Sequence, residues 1–317
     1  MNIKRWIARR EIYWQTLETL LYRIKRQGIQ QLSANEVKEL ASLYRTVSAD
    51  LARAQTHRVG QRLTQMLQDL TTQGYSQIYQ GQRHQEWATV REFVLWGLPA
   101  ALQRNAAYIA VATLLFGSMS LVGWAIAVAD PRFVATFLPE SLIEQVRDRG
   151  ELWMGSILGT EPVASAEIMI NNLLVSFGAI GGGITLGLWT IYLLMLNGLM
   201  LGVVGTFVGQ YGLGYPFWAF VLPHGSLELP AIFIAGGAGL LIARGLVYPG
   251  RYTRLAALKY YSGQAAQLAF GVIGLLVIAG FIEGLYSPSP LIPDAIKYLT
   301  GTALLFLLIR YGQRQKG

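Results

Sequence analysis

LPHGSLELPAIFIAGGAG, residues 222–239, is the stretch that decides how this chain folds. It places a histidine, a glutamate, two prolines and a group of glycines within otherwise apolar surroundings. Upstream of it, residues 168–223 contain no Asp, Glu, Lys, Arg or His. This uncharged run is longer than the roughly 20 residues that one helix needs to cross the apolar layer of a bilayer. The sequence therefore predicts an integral membrane protein.

The charged residues divide the chain into two regions. Residues 1–104 contain 15 Lys or Arg and 8 Asp or Glu, whereas residues 105–317 contain 11 and 10. Only 14% of all residues are charged, against about 25% in soluble domains. We expect a basic helical region at 1–104 and a transmembrane domain at 105–317. Because the chain has no cysteine, disulfides, thiolate metal ligands and a cysteine nucleophile are excluded.

The N-terminal region has the pattern of amphipathic helices. Apolar residues recur at helical spacing over residues 3–27. Ser33 and Glu36 form a capping-box pattern at the start of a second helix, and the apolar periodicity continues beyond it. The apolar stripe must pack on itself, on a second copy of the chain or on the membrane surface. Residues 86–96, with two tryptophans, resemble an interfacial helix.

The hydropathy pattern predicts an all-α polytopic membrane bundle of about six transmembrane helices. The predicted spans are residues 106–129, 168–190, 191–212, 217–247, 265–285 and 295–310. Residues 130–167 hold seven acidic and three basic residues and are predicted to form an extracytoplasmic loop. The span at 217–247 is too long for one straight helix perpendicular to the membrane. Pro223 and Pro230 therefore predict a break, a kink or a re-entrant half-helix.

The distribution of charge also predicts the orientation in the membrane. With the N-terminus in the cytoplasm, six spans place the basic segments 1–104, 244–264 and 310–317 inside and the acidic loop outside, as the positive-inside rule requires. We expect a multi-pass protein of the cytoplasmic (inner) membrane with both termini in the cytoplasm. The lipid bilayer is then its first partner. No nucleic-acid-binding motif accompanies the basic excess, so nucleic acid is not an expected partner.

Glycine is concentrated in the predicted spans. Residues 171–250 contain 17 of the 35 glycines. The glycines predicted to pack helices closely are Gly178, Gly182, Gly183, Gly187, Gly198, Gly202, Gly236, Gly237 and Gly239. Small residues four apart let helix backbones approach each other in lipid, where no hydrophobic drive brings helices together. Glycines of this density also permit broken helices that line a polar cavity, which is the alternative interpretation.

Six polar residues of the predicted spans form the candidate intramembrane site. They are Asn171, Asn172, Asn197, His224, Glu228 and Glu283. His224 and Glu228 are four residues apart and share a face if the segment is helical. The pair fits a buried hydrogen-bonded clamp, a proton or ion pathway, or a metal or hydrolytic site. One His and one Glu are too few ligands for a metal, so no metal and no cofactor is predicted.

Glu283 lies near the predicted outer end of its span. Two interpretations stay open for it: a solvated residue at the helix end, or a partner for His224 across the bundle. An ionisable group inside a span costs at least roughly 2.5–3.5 kcal/mol unless it is paired or hydrated. The position of Glu283 therefore decides whether the polar site has two ionisable members or three.

An ordered set of motifs resembles the stage II sporulation protein M family of membrane proteins. Its members here are Asn171-Asn172, Gly181–Gly183, Asn197-Gly198, Pro223-His224-Gly225, Glu228-Leu229-Pro230-Ala231, Ala235–Leu240 and Glu283-Gly284. The resemblance implies a membrane component of a machinery that remodels the cell envelope. In spore formers the namesake works with related stage II proteins that cut peptidoglycan. The family supplies no catalytic residues to carry over to this chain.

We therefore expect a non-enzymatic membrane protein that scaffolds or recruits protein partners through residues 1–104, with homo-oligomers as an open question. The alternative is a transporter or channel whose polar site includes His224 and Glu228. A third interpretation, an intramembrane hydrolase, has the least support, because the sequence contains no HExxH motif and no Gly-x-Ser-x-Gly motif.

Overall fold

The computed structural model describes residues 3–28, 31–57, 59–153 and 161–316, with only the backbone described for 79–86 and 161–168. Every regular element in these residues is helical, so the predicted all-α class is confirmed for them. Contacts divide the chain into two compact units, Met1–Glu92 and Phe93–Gly317. We call them the N-terminal unit and the membrane unit, and each is described by itself.

The N-terminal unit is built from three helices. They are α1 (Ile3–Gln27), α2 (Ala34–Thr56) and α3 (Gln61–Glu92). The predicted capping box is confirmed, because the Ser33 hydroxyl accepts the backbone N–H of Glu36 while the Glu36 carboxylate accepts the backbone N–H of Ser33. This reciprocal pair satisfies donors that the first turn of a helix otherwise leaves unpaired.

The apolar stripe of the N-terminal unit packs on itself, which settles one of the alternatives left by the sequence. Its core consists of Trp6, Trp14, Leu17, Leu20, Leu21, Ile24, Leu40, Leu43, Val47, Ala54, Leu67 and Leu70. One carboxylate lies within this core: Asp50 is fully buried. It accepts two hydrogen bonds from Arg10 Nε, at 3.0 and 2.8 Å, and one from Trp14 Nε1 at 3.0 Å.

The membrane unit contains eight α-helices within the described residues. They are α4 (Leu98–Arg104), α5 (Ala106–Ala129), α6 (Glu140–Arg149), α7 (Glu161–Gly181), α8 (Leu188–Gln210), α9 (Gly214–Val247), α10 (Arg254–Phe281) and α11 (Asp294–Gly312). In the part of the chain that the structure describes, four helices are long and apolar enough to cross a membrane: α5, α8, α9 and the continuous stretch Arg254–Tyr286. The chain is therefore an all-α membrane protein, and the count of six spans stays a prediction.

Several boundaries differ from the predicted spans. The turn before α8 lies at Gly182–Gly187 rather than at 190/191, with Leu186 and Gly187 both in the left-handed conformation. Helix α7 already begins at Glu161, inside the predicted loop 130–167. The described part of the loop packs on the membrane unit: Val134, on a 3-10 turn, and Val146, on α6, are buried against α8 and α9. Its residues 154–160 lie outside the described part of the chain.

Of the three alternatives predicted at Pro223 and Pro230, the break and the re-entrant half-helix are wrong, because α9 is one continuous helix of 34 residues, and the kink stays a prediction. Each proline removes one backbone N–H donor, and the carbonyls four residues earlier lose a partner. Dense surroundings stabilise the helix in spite of this loss. In the most apolar 18-residue stretch of α9, 72% of the residues are buried, whereas only 17% are buried in the corresponding stretch of α5. Helix α9 is thus the centre of the membrane unit, and its neighbours hold it where local rules predict an interruption.

Glycines form the contact surfaces around α9 and between α5 and α8. A Cβ atom on Gly198 or Gly202 would overlap the backbone carbonyl of Phe116 or Ser120 on α5, and one on Gly239 would overlap Ala179. Gly183 faces the backbone of Gly239 in the same way. The other five glycines of the predicted set have neighbours within 3.2 Å of a Cβ position: Gly178, Gly182, Gly187, Gly236 and Gly237. Backbones therefore meet directly along these helices.

Candidate functional site

His224 and Glu228 lie one turn apart on the central helix α9. The His224 side chain is 6% exposed, and Glu228 is half-buried. The ring of Phe220, one turn earlier, packs edge-on against the imidazole with centroids 5.3 Å apart. Because α9 is helical here, both ionisable groups project from the same face. They are held inside the bundle by the most buried helix of the membrane unit.

Glu283 joins this pair from the end of α10. It lies on a short π-helix, Ile282–Tyr286, which follows α10 directly and contacts both α7 and α9. The Glu283 Oε1 atom is 3.8 Å from His224 Nε2, and the residue is 8% exposed. The structure thus supports the partner interpretation of Glu283 over the solvated one. Single π-turns inside α-helices are frequent at functional sites, because the wider turn redirects a side chain.

A buried serine binds the other side of the imidazole. Ser287 Oγ lies 3.1 Å from His224 Nδ1, and Ser287 is fully buried. If Nδ1 carries the proton and donates it to this hydroxyl, the lone pair of Nε2 faces Glu283. The position of Ser287 therefore fixes the orientation of the ring, as the outer partners of metal-binding histidines do, and its hydroxyl is compatible with either tautomer, because it can donate to Nδ1 or accept from it.

Neither Glu228 nor Glu283 has a compensating positive charge or hydrogen-bond donor among the described residues. Glu283 Oε2 is buried and has no hydrogen-bond partner among the described residues. Among the described residues, Glu228 has no hydrogen-bond partner either. No lysine or arginine in that part of the chain forms an ion pair with either glutamate. The buried Lys297 has its Nζ 4.0 Å from Asp294 instead. A buried group left this way costs about 1–3 kcal/mol, and more if it is charged.

His224, Glu228 and Glu283 each offer one ligand atom, and these three atoms lie within 4.8 Å of one another. We call these three residues the polar cluster. A set of one imidazole and two carboxylates can hold a proton shared between the acids, or a cation. The spacing in the sequence places only His224 and Glu228 together, because the third ligand, Glu283, comes from a different helix.

The three predicted asparagines stand apart from the polar cluster. Asn171 is exposed and Asn172 is half-buried on α7. Asn197 donates its side-chain N–H to the carbonyl of Leu193 at 2.8 Å, within its own helix. None of the hydrogen bonds or ion pairs of the described residues connects these asparagines to the cluster.

Ser287 is the site residue that the sequence analysis missed. A signal for it was present, because Ser287 follows Glu283 by four residues and so lies on the same helical face. The three prolines of residues 287–293 favour a turn there instead, which hides this helical spacing. Together Ser287, His224 and Glu283 are the residue types of a hydrolytic triad. The serine is fully buried, however, and 3.8 Å is beyond hydrogen-bond range, so the geometry favours holding charge over nucleophilic attack.

Comparison with known proteins finds a similar family for part of each unit. A family profile described as Stage II sporulation protein M matches residues 112–288, and a domain of unknown function, DUF8413, matches residues 4–80. The uncharacterized protein MJ0706 of Methanocaldococcus jannaschii is 28% identical over 145 residues, which is 41% of this chain and 67% of the relative. A second uncharacterized protein of that organism, MJ0793, is 38% identical over 80 residues, 24% of this chain and 43% of the relative. No solved structure matches significantly.

Proposed function

The chain belongs to the stage II sporulation protein M family, and we propose that it is a non-enzymatic protein of the cytoplasmic membrane that recruits partner proteins through its N-terminal unit. In a narrower form of this proposal, the partners belong to a machinery that remodels the cell envelope. The identity of the recovered partners tests that narrower form.

The observation that carries the proposal is the closed core of the N-terminal unit. Its three helices bury their apolar stripes against one another, so the unit does not need the membrane surface to cover them. Aromatic side chains remain exposed on it, with Tyr22 at 59% and Tyr75 at 55%. Tyrosine and arginine are enriched in protein interfaces, and the guanidinium of Arg26 lies 5.5 Å from the centre of the Tyr22 ring. Such a surface is suited to a protein partner.

We propose that both termini face the cytoplasm, as the charge distribution favours. Because the chain has no native cysteine, single cysteines introduced at exposed Leu291 or in the acidic loop can be labelled without background. We expect an impermeant thiol reagent to label these positions from outside intact cells and to leave a cysteine at exposed Leu255 unlabelled. The opposite labelling pattern would reject the proposed orientation.

Recruitment is tested by comparing the full chain with a chain that lacks residues 1–92. After crosslinking in membranes, we expect the full chain to recover partners that the shortened chain does not. Size-exclusion chromatography in detergent checks that the shortened chain stays monodisperse. As a test of sufficiency, residues 1–92 fused to an unrelated membrane anchor should recover the same partners. Recovery of these partners by the shortened chain would refute the proposal.

A second function, carriage of protons or cations, is favoured by one specific observation. Glu283 is buried beside His224 with one carboxylate oxygen unpartnered among the described residues, and intramembrane acids of this kind mark ion pathways. The test is flux into liposomes for the wild type, Glu228→Gln and Glu283→Gln. Asn197→Ala serves as the control, because Asn197 bonds only within its own helix. If the chain carries protons or cations, the wild type and the Asn197→Ala control should both show flux, and both glutamine variants should show none.

A further inference from the structure

We propose that the polar cluster of the membrane unit, His224, Glu228 and Glu283, binds a single divalent transition-metal ion of the zinc class. This inference goes beyond partner recruitment, since it concerns the membrane unit alone. It also differs from ion carriage, because it requires a bound ion and no flux. The ion would join the central helix α9 to the π-helix that follows α10.

The geometry is close to what a metal requires. At metal–ligand distances of about 2.1 Å, tetrahedral ligand atoms lie about 3.4 Å apart. His224 Nε2 and Glu283 Oε1 are already 3.8 Å apart, and all three ligand atoms lie within 4.8 Å of one another. Side-chain rotations that move these ligand atoms by about 1 Å would therefore bring all three to one ion, without movement of α9 or of the π-helix.

The unpartnered oxygen supplies an independent reason for a bound ligand. Glu283 Oε2 is buried and lacks a hydrogen-bond partner among the described residues, while His224 and Glu283 are both more than nine-tenths buried. No arginine or lysine of the described chain forms an ion pair with either glutamate. A divalent cation would neutralise the two carboxylates, and binding by both oxygens of Glu283 would also give Oε2 a partner.

The donor set selects the class of metal. An imidazole nitrogen with two carboxylates suits zinc and its neighbours in the first transition row better than Mg²⁺ or Ca²⁺, which prefer oxygen ligands alone. Copper(I) prefers thiolate or thioether sulfur, and none of the three residues of the polar cluster offers a sulfur atom. Ser287 completes the arrangement, because its hydroxyl lies 3.1 Å from His224 Nδ1 and so leaves Nε2 free to bind the ion.

The test uses the full chain in detergent micelles with a background of His57→Gln and His84→Gln. The chain has three histidines, so His224 is then the only imidazole that can bind zinc. The compared variants in this background are Glu283→Gln, Ser287→Ala and Ser226→Ala. Ser226→Ala is the matched control, because Ser226 is buried on α9 but its hydroxyl bonds only to the Pro223 carbonyl.

We expect one zinc ion per chain by elemental analysis after gel filtration, and a zinc-dependent rise in the temperature of unfolding. Glu283→Gln should abolish both effects, and Ser287→Ala should weaken zinc affinity by about 10–100-fold. Ser226→Ala should bind as tightly as the background chain. Absence of zinc binding in the background chain, or equal binding by Glu283→Gln, would overturn the inference.

The wild-type chain provides a second measurement that needs no variant, in case Glu283→Gln does not fold. Treatment with a chelator should lower the unfolding temperature of the wild type. Added Zn²⁺ should restore it, whereas Mg²⁺ at the same concentration should not. If the chelator leaves the unfolding temperature unchanged, or if Mg²⁺ restores it as well as Zn²⁺ does, a zinc-class site is rejected.

Discussion

Two buried carboxylates, one in each unit of the chain, have opposite surroundings. Asp50 of the N-terminal unit is fully buried and accepts three hydrogen bonds, two from Arg10 and one from Trp14. Glu283 of the membrane unit is 8% exposed and has one oxygen with no partner among the described residues. The N-terminal unit thus satisfies its buried acid completely, whereas the membrane unit leaves one oxygen of Glu283 without a partner among the described residues.

This difference separates a structural acid from a candidate functional one. A buried charge is tolerated when protein donors surround it, and its removal then leaves those donors unpaired. A buried acid that keeps a free acceptor position does not stabilise the fold through that oxygen, and it is available to a ligand or a proton. Substitution of Asp50 should therefore cost far more stability than substitution of Glu283.

The largest effect is expected from Asp50→Ala. This change leaves Arg10 Nε and Trp14 Nε1 without their acceptor inside the core of the N-terminal unit. We expect the unit to lose about 3–5 kcal/mol of stability. Hydrogen exchange of α2 peptides in the intact protein should then accelerate at least about a hundredfold. The control is Asp69→Ala, since Asp69 is exposed on α3 and should change stability by less than about 0.5 kcal/mol.

The next effect concerns helix packing in the membrane unit. A Cβ atom on Gly202 would overlap the Ser120 carbonyl of α5, while Gly209 on the same helix has nothing within 4 Å of that position. Gly202→Ala should therefore destabilise the unit by about 1–3 kcal/mol. Gly209→Ala should be neutral or stabilise it by up to about 1 kcal/mol, because alanine favours helix. Unfolding in mixed micelles measures both, and equal effects would contradict close packing at Gly202.

A smaller effect is expected at the cap of α2. Ser33→Ala removes the hydroxyl that accepts the Glu36 backbone N–H, at a cost of about 1 kcal/mol. The pKa of Glu36 is lowered from 4.5 to about 2, first by the backbone N–H of Ser33 and then by Arg23. Because the pKa of Glu36 is lower in the folded state, its carboxylate contributes fully to stability above about pH 4.5. This contribution is lost as the pH falls toward 2.

Hydrogen exchange of the first turn of α2, corrected for intrinsic rates, measures this stability at pH 7 and pH 3. The wild type should lose protection between these two values, and Glu36→Gln should show a smaller loss, because glutamine does not titrate. A cap whose protection is the same at both pH values would contradict the role given to the Glu36 carboxylate.

Local features of the fold were predictable from the sequence because local rules determine them. The uncharged run 106–129 corresponds to α5, Ala106–Ala129, and the Ser33 cap lies at the predicted position. The continuity of α9 was not predictable in this way. Pro223 and Pro230 weaken a helix locally, but contacts from neighbouring helices outweigh them in a segment that is 72% buried.

The candidate site was predictable only in part, and for a related reason. The spacing of His224 and Glu228 follows from one helix, so the sequence alone placed them on one face. The approach of Glu283 depends on how α9 and the end of α10 meet, and a π-turn at Ile282–Tyr286 sets the direction of its side chain. Neither the packing angle of two helices nor a π-turn has a local sequence signal strong enough to predict it.

The smallest effect on stability is expected from Glu283→Gln without added metal, and this prediction tests the comparison most directly. The glutamate makes no hydrogen bond among the described residues, so its replacement breaks none, and the unfolding free energy in micelles should change by less than about 0.5 kcal/mol. A loss of 3–5 kcal/mol, like that expected for Asp50, would instead make Glu283 a structural partner of a charged His224. A small change combined with lost zinc binding would show that the membrane unit retains this acid for a ligand.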